Sequence, residues 1–181
     1  MNQTKKIIYA AMFMALGLIV PQAFHFTGVA NAGAIFLPMH IPVILCGFVL
    51  GPYFGILVGA LTPLLSSLLL AMPPMQRLPF MMIELAVYAF FAGIMYQTFG
   101  FYKRKFGIYC SLIIAMVAGR IVYAISLWFA TNILGISKIG PIAALDAVIK
   151  GIPGIVIQLV ILPAIVYQFK KGIISGNESI R

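Results

Sequence analysis

Long apolar runs, separated by short clusters of glycine, proline and basic residues, make up most of the chain. A helix that crosses the hydrocarbon core of a bilayer needs ~20 mostly apolar residues. The sequence therefore predicts an all-α membrane protein with six transmembrane helices, in which the second span is short. The predicted spans cover about residues 7–24, 39–50, 53–72, 78–99, 108–134 and 141–169.

The boundary between the second and third runs decides between six spans and five. A five-span alternative joins the two runs into one helix. The pair Gly51-Pro52, followed by Gly55, is typical of a tight turn rather than a helix interior, and it favours six spans. Pro73-Pro74 ends the third run in a similar way, because proline lacks a backbone donor and disfavours helix before it.

Composition excludes several classes of protein. Of the 181 residues, 63% are hydrophobic and only 8% are charged, whereas about a quarter of a soluble domain is charged. A soluble enzyme, a disordered chain and a disulfide scaffold are therefore excluded. Nucleic-acid binding is not expected, because the basic residues are few and fall between apolar runs. We interpret residues 1–181 as a single integral-membrane domain.

Basic residues predict the orientation of the spans. Eight of the 12 fall at the ends and turns that six spans place on the side of the N-terminus, against two on the other side. Cytoplasmic segments carry the excess of Lys and Arg, so both termini are predicted to be cytoplasmic, in a multi-pass protein of the plasma membrane. The eight are at positions 5, 6, 103–105, 170, 171 and 181, and the two are Arg77 and Lys138.

A cleaved signal peptide is the alternative interpretation of the N-terminus. Lys5-Lys6, the first apolar run and Ala30-Asn31-Ala32 fit that pattern loosely. The run is longer than a usual signal core, however, and cleavage would remove the first span from the charge pattern. We therefore expect the first run to remain as a helix.

Four charged residues fall inside the predicted spans, where charge is costly and usually functional. Glu84 lies in the fourth, Arg120 in the fifth, and Asp146 and Lys150 in the sixth. At 1.5 Å per residue, Glu84, Asp146 and Lys150 lie roughly 9, 8 and 14 Å from the outer ends of their helices, and Arg120 lies near the midplane. All four are predicted to meet in the outer half. They form either a structural set of ion pairs, with Asp146 and Lys150 spaced i,i+4, or the lining of a polar cavity that holds a solute.

Other polar residues near this level extend the candidate binding site. Tyr88 follows Glu84 by one helical turn, Tyr123 lies outward of Arg120, and His40 opens the second span. Asn31 belongs to an uncharged outer loop that contains two glycines and could close over a site. The predicted substrate-binding residues are Asn31, His40, Glu84, Tyr88, Arg120, Tyr123, Asp146 and Lys150.

No catalytic, metal or cofactor site is predicted. The chain has no phosphate loop, no His-Glu-x-x-His stretch and no Gly-x-Ser-x-Gly elbow. Neither the two histidines nor Cys46 and Cys110 have metal-ligand spacing. The chain is therefore not expected to be an enzyme. A stand-alone facilitator for small solutes remains an alternative.

The order of short motifs resembles one family over about residues 5–171. These motifs include Ala11-x-x-x-Ala15, the segments 37–42, 47–52 and 62–67, Glu84-Leu85-Ala86-x-Tyr88, Gly119-Arg120 and 151–154. The chain is similar to the substrate-binding S components of energy-coupling factor (ECF) vitamin transporters, which are prokaryotic ABC importers.

This resemblance implies a function that the spacing alone does not give. An S component binds a vitamin or a precursor with high affinity, and works with a coupling membrane protein and two cytoplasmic ATPases. The resemblance implies that Ala11 and Ala15 contact the coupling protein and that the first outer loop gates the site. It is nearest to the pantothenate-type branch, so pantothenate is the first expected substrate. Riboflavin, folate, cobalamin and queuosine precursors remain alternatives.

Overall fold

The computed structural model describes residues 1–26, 28–29, 31–133 and 142–178. Thr27 and Ala30 of the outer loop lie outside these residues, as do Leu134, Lys138, Pro141 and Arg181, which the sequence prediction used for span ends and topology. The described α-helices are α1 Gln3–His25, α2 Ala32–Phe36, α3 His40–Leu50, α4 Pro52–Leu70, α5 Leu78–Gly93, α6 Gly107–Asn132, α7 Ile142–Lys150 and α8 Ile152–Glu178. A π-helical turn, Ile94–Thr98, extends α5, and a 3-10 turn covers Phe101–Lys103.

The prediction of an all-α protein with six spans is confirmed. Within the described residues, six helical segments are long and apolar enough to cross a membrane. They are Gln3–Phe24, Ala32–Leu50, Pro52–Leu70, Leu78–Thr98, Gly107–Asn132 and Ile152–Phe169.

The turn between α3 and α4 has the geometry that favoured six spans over five. Gly51 has φ 94° and ψ 178°, a backbone conformation that side chains with a Cβ rarely adopt. Pro52 then occupies the first turn of α4, where its missing N–H leaves no bond unmade. The Gln97 side chain reinforces this corner, because its Nε2 donates a hydrogen bond of 2.8 Å to the carbonyl of Phe48.

The predicted sixth span is wrong at its N-terminal end. The sequence prediction ran a single helix from 141 to 169, but the chain turns at Gly151 and divides it into α7 and α8. The membrane-length segment begins only at Ile152. Asp146 and Lys150 therefore lie on α7, a separate short helix, and not inside the spanning helix as predicted.

Helix α5 lies at the centre of the packing and contacts α3, α4 and α6. Close approach depends on small residues: a Cβ added at Gly59 of α4 would lie 2.7 Å from the Cα of Ala86. Buried apolar side chains from these helices and from α1, including Phe13, Phe48 and Leu85, form the core. Apolar side chains also cover the outside, as expected of a surface that faces lipid.

The loop after α1 contains α2, a helix of five residues that the sequence prediction left as loop. Asn31 before it and Leu37 after it both have left-handed backbone, with φ of 58° and 50°. The C-terminal end of α2 rests on α8, where a Cβ added at Gly154 would lie 2.7 Å from the carbonyl of Phe36. The absence of a side chain at Gly154 therefore lets the end of α2 pack closely against α8.

Candidate functional site

A cavity of about 750 Å³ opens at one end of the bundle. At this end α1, α4 and α6 finish, α3 and α5 begin, and α2 and α7 lie beside them. Because successive helices run in opposite directions, residues that are far apart in sequence lie together at this end of the bundle. The described polar side chains that line the cavity are Gln22, Asn31, His40, Ser66, Arg77, Glu84, Arg120, Tyr123, Asp146 and Lys150.

Seven of the eight predicted substrate-binding residues line this cavity, and Tyr88 does not. Tyr88 is 2% exposed and packs inside the core. Its ring lies edge-to-face against His40, with the two centroids 5.3 Å apart. Tyr88 therefore supports a lining residue from behind.

Glu84 and Arg120, called here the buried pair, join α5 to α6. Arg120 Nη1 lies 3.0 Å from Glu84 Oε1, and the two side chains are only 14% and 6% exposed. Burial removes the water that would solvate each charge, and the direct contact between the two groups offsets that cost. The buried pair therefore fixes the relative position of two spans within the cavity wall.

Asp146 and Lys150, called the exposed pair, form a second contact on α7. Lys150 Nζ donates a hydrogen bond of 2.6 Å to Asp146 Oδ2, and both side chains are more than half exposed. The described side chains form no ion pair between the buried and exposed pairs. The expected meeting of all four charges is thus corrected: they line one cavity as two separate pairs, because the turn at Gly151 takes α7 out of the sixth span.

Several buried polar atoms of the cavity wall have no hydrogen-bond partner in the described part of the chain. They include both ring nitrogens of His40, which is 3% exposed, and the Nε and Nη2 of Arg120. A buried donor or acceptor without a partner costs about 1–3 kcal/mol. An arrangement that leaves several such atoms beside one cavity favours a bound molecule that supplies the missing partners.

Three lining residues were missed by the sequence prediction. Arg77 precedes α5 and was counted only as a marker of topology, although it faces the same cavity. Gln22 and Ser66 are uncharged and gave no signal by their spacing. The described lining therefore holds three basic and two acidic side chains, a formal excess of one positive charge.

Comparison with protein families decides the identity of this bundle. The family model described as "ECF transporter, substrate-specific component" matches residues 5–174, nearly the whole chain. The chain belongs to this family. A comparison with curated proteins and one with solved structures each gave no match.

An S component is a transporter subunit and not an enzyme. Membership of the family also implies a small-molecule substrate, a coupling protein and an ATPase module. The described residues contain no group of three or more His, Cys, Asp or Glu side chains placed to hold a metal ion. The cavity is the candidate site for the small-molecule substrate.

The predicted partner-binding residues lie on the surface of α1. Ala11 and Ala15 are exposed, whereas Ala10, Phe13 and Gly17 on the other side of the helix are buried. Ala11 and Ala15 therefore do not pack inside the bundle. These two positions leave a shallow strip on which another helix could approach closely.

Proposed function

We propose that this S component is the high-affinity binding subunit of an ECF-type ABC importer in a prokaryotic plasma membrane. It takes a vitamin or a vitamin precursor from outside the cell. The observation that carries the proposal is the cavity of about 750 Å³, with buried polar atoms of His40 and Arg120 that have no partner among the described residues. A volume of several hundred cubic ångströms suits a small ligand rather than an ion.

The predicted topology supports uptake from outside. With both termini in the cytoplasm, the ends of α1, α4 and α6 that surround the cavity face outward. Helix α2 contributes Gly33 and Ala34 to the lining of this opening, and we expect it to act as a gate. The exposed strip begins at Ala11, in the N-terminal half of α1, and we expect it to meet the coupling protein, which works with two cytoplasmic ATPases.

Pantothenate is the first proposed substrate. It combines one carboxylate with hydroxyl and amide groups, and the described cavity lining offers one excess positive charge together with Asn31, Gln22 and Ser66. Riboflavin, folate and queuosine precursors differ from it in net charge and contain fused rings, which pantothenate lacks, and they remain alternatives. Cobalamin would need a wider and less charged site.

The test is uptake of radiolabelled pantothenate into proteoliposomes. The S component alone should bind the compound tightly but should not concentrate it. Together with the coupling protein and ATPases, it should concentrate the compound when ATP is supplied on the cytoplasmic side. Concentrative uptake by the isolated chain, or downhill flux as fast as that of a facilitator, would contradict the role of an S component. If the protein does not bind pantothenate but supports ATP-dependent uptake of another vitamin, the proposed substrate is wrong and the transporter role stands.

A further inference from the structure

Arg120 offers one free edge of its guanidinium group. The ion pair with Glu84 uses Nη1, and the two remaining nitrogens, Nε and Nη2, are buried without a hydrogen-bond partner among the described residues. The Nε–H and Nη2–H bonds of an arginine point the same way and match the two oxygens of a carboxylate. The Tyr88 hydroxyl also interacts with Glu84 and Arg120. Glu84 and Tyr88 thus hold Arg120 in place, and no described side chain forms a hydrogen bond with Nε or Nη2.

The exposed pair is already satisfied. Lys150 and Asp146 bond to each other at 2.6 Å, and water reaches both side chains. Any anion that binds Lys150 must compete with Asp146 and with water, whereas an anion at Arg120 supplies partners that the wall lacks. Both cationic groups line the same cavity, but a bound carboxylate would supply missing hydrogen bonds only to Arg120.

His40 extends the set of unused groups on the cavity wall. Both of its ring nitrogens are buried without a partner in the described residues. A neutral imidazole provides one donor and one acceptor, so it can bond a hydroxyl or an amide of the same molecule. Arg120 lacks only acceptors, because its two free nitrogens are donors. Together the two residues match an acid group with a polar chain attached.

We infer that the substrate of this S component is a carboxylic acid, whose carboxylate binds the Nε–Nη2 edge of Arg120. Its polar chain passes His40 and extends toward the exposed pair. This inference rests on the proposed function and adds the chemical class and the orientation of the substrate. Arg120 and Lys150 both line the cavity; the burial and the partners of their nitrogens separate them.

The Leu37 side chain lies beside one end of this edge. A Cβ added at Gly151 would lie 3.2 Å from Arg120 Nη2 and 3.1 Å from Leu37 Cδ1. Leu37 has φ 50°, a left-handed backbone that leucine rarely adopts. We expect a shift of Leu37 to relieve its backbone and to open a path to Nη2 when the carboxylate enters.

The experiment compares acids with their neutral analogues in isothermal titration calorimetry. The probes are pantothenate against pantothenyl alcohol, biotin against its amide, and nicotinate against nicotinamide. Whichever acid binds should bind about 50-fold or more tightly than its neutral analogue, because the analogue leaves the buried Nε–Nη2 edge unpaired. Equal binding of an acid and its analogue, or binding of neutral members only, overturns the inference.

Paired variants locate the preference without leaving an isolated buried charge. The double variant Glu84→Gln/Arg120→Gln should lose the preference for the acid, while Asp146→Asn/Lys150→Gln should change it by less than about fivefold, as expected for exposed charges. Loss of the preference in the Asp146/Lys150 variant, or its retention without Arg120, overturns the assignment to Arg120.

Mass spectrometry of compounds that co-purify with the full chain covers substrates outside the panel. Methyl esterification should shift the mass of the bound compound, and that compound should be absent from the Glu84→Gln/Arg120→Gln protein. A co-purified compound with no carboxyl group overturns the inference but leaves the transporter function intact. ATP-independent concentrative uptake contradicts the transporter function without bearing on where the acid binds, so the two failures are distinguishable.

Discussion

Replacing Arg120 by glutamine should strongly destabilise the protein, and replacing Lys150 by glutamine should not. The first change leaves Glu84 as an isolated carboxylate whose side chain is 6% exposed. Removing one partner of a buried ion pair costs about 3–5 kcal/mol. The second change leaves Asp146 with a side chain that is 55% exposed and hydrated, and exposed pairs contribute about 0–1 kcal/mol.

This contrast converts into a measurable difference in melting temperature. One kcal/mol shifts the Tm of a chain of this size by about 2–4 °C, so Arg120→Gln should lose about 6–20 °C and Lys150→Gln no more than about 4 °C. The assay is thermal unfolding of the purified protein in lipid nanodiscs, followed by intrinsic fluorescence. The double variant Glu84→Gln/Arg120→Gln should recover most of the loss, because it removes both charges.

The pattern across these variants tests the reasoning directly. Equal losses for Arg120→Gln and Lys150→Gln would show that burial does not distinguish the two pairs. A double variant less stable than Arg120→Gln would show that the unpaired carboxylate is not the source of the cost. Either result would falsify the assignment of the buried pair as the structural contact between α5 and α6.

Three further predictions follow from other contacts. Gly154→Val should separate α2 from α8 and, by opening the cavity, raise the dissociation rate of a bound acid at least ~tenfold. Ala164→Val, at an exposed position of α8, is the control. An equal effect of the two variants would contradict a role for the contact between α2 and Gly154. Leucine at both Ala11 and Ala15 should spare binding but reduce recovery of the coupling protein in a pull-down, while serine at both should not; intact assembly with leucine would exclude this strip as the interface. Gln97→Ala should cost about 1 kcal/mol in thermal unfolding by removing its bond to the end of α3, and an unchanged Tm would show that this bond adds no stability.

Hydrophobic pattern was sufficient to predict the number and order of the spans. Apolar runs of membrane length can be read from composition, and Gly51-Pro52 identified the turn that separates α3 from α4. The same pattern failed at Gly151, because apolar residues continue on both sides of the break. It also missed α2, whose five residues are too few for a periodic signal.

The residues of the cavity could be predicted more readily than their pairing. Glu84 and Arg120 were conspicuous because charge is rare inside apolar runs. Whether they contact each other or Asp146 and Lys150 depends on how helices rotate and pack, which spacing along one helix does not fix. Arg77 was missed for a related reason: a basic residue at a span end indicates topology, and only the packed bundle shows that it faces a cavity.

The break at Gly151 also bears on how the last helix enters the membrane during synthesis. A charged residue at the centre of an inserting helix costs about 2.5–3.5 kcal/mol, and less toward its ends. Because α7 is separate, the segment Ile152–Phe169 contains no charged residue, and the translocation machinery can partition it as an uninterrupted apolar helix. Asp146 and Lys150 then need not be carried into lipid by that helix. The polar wall of the cavity can thus form after insertion, when α7 packs against α6.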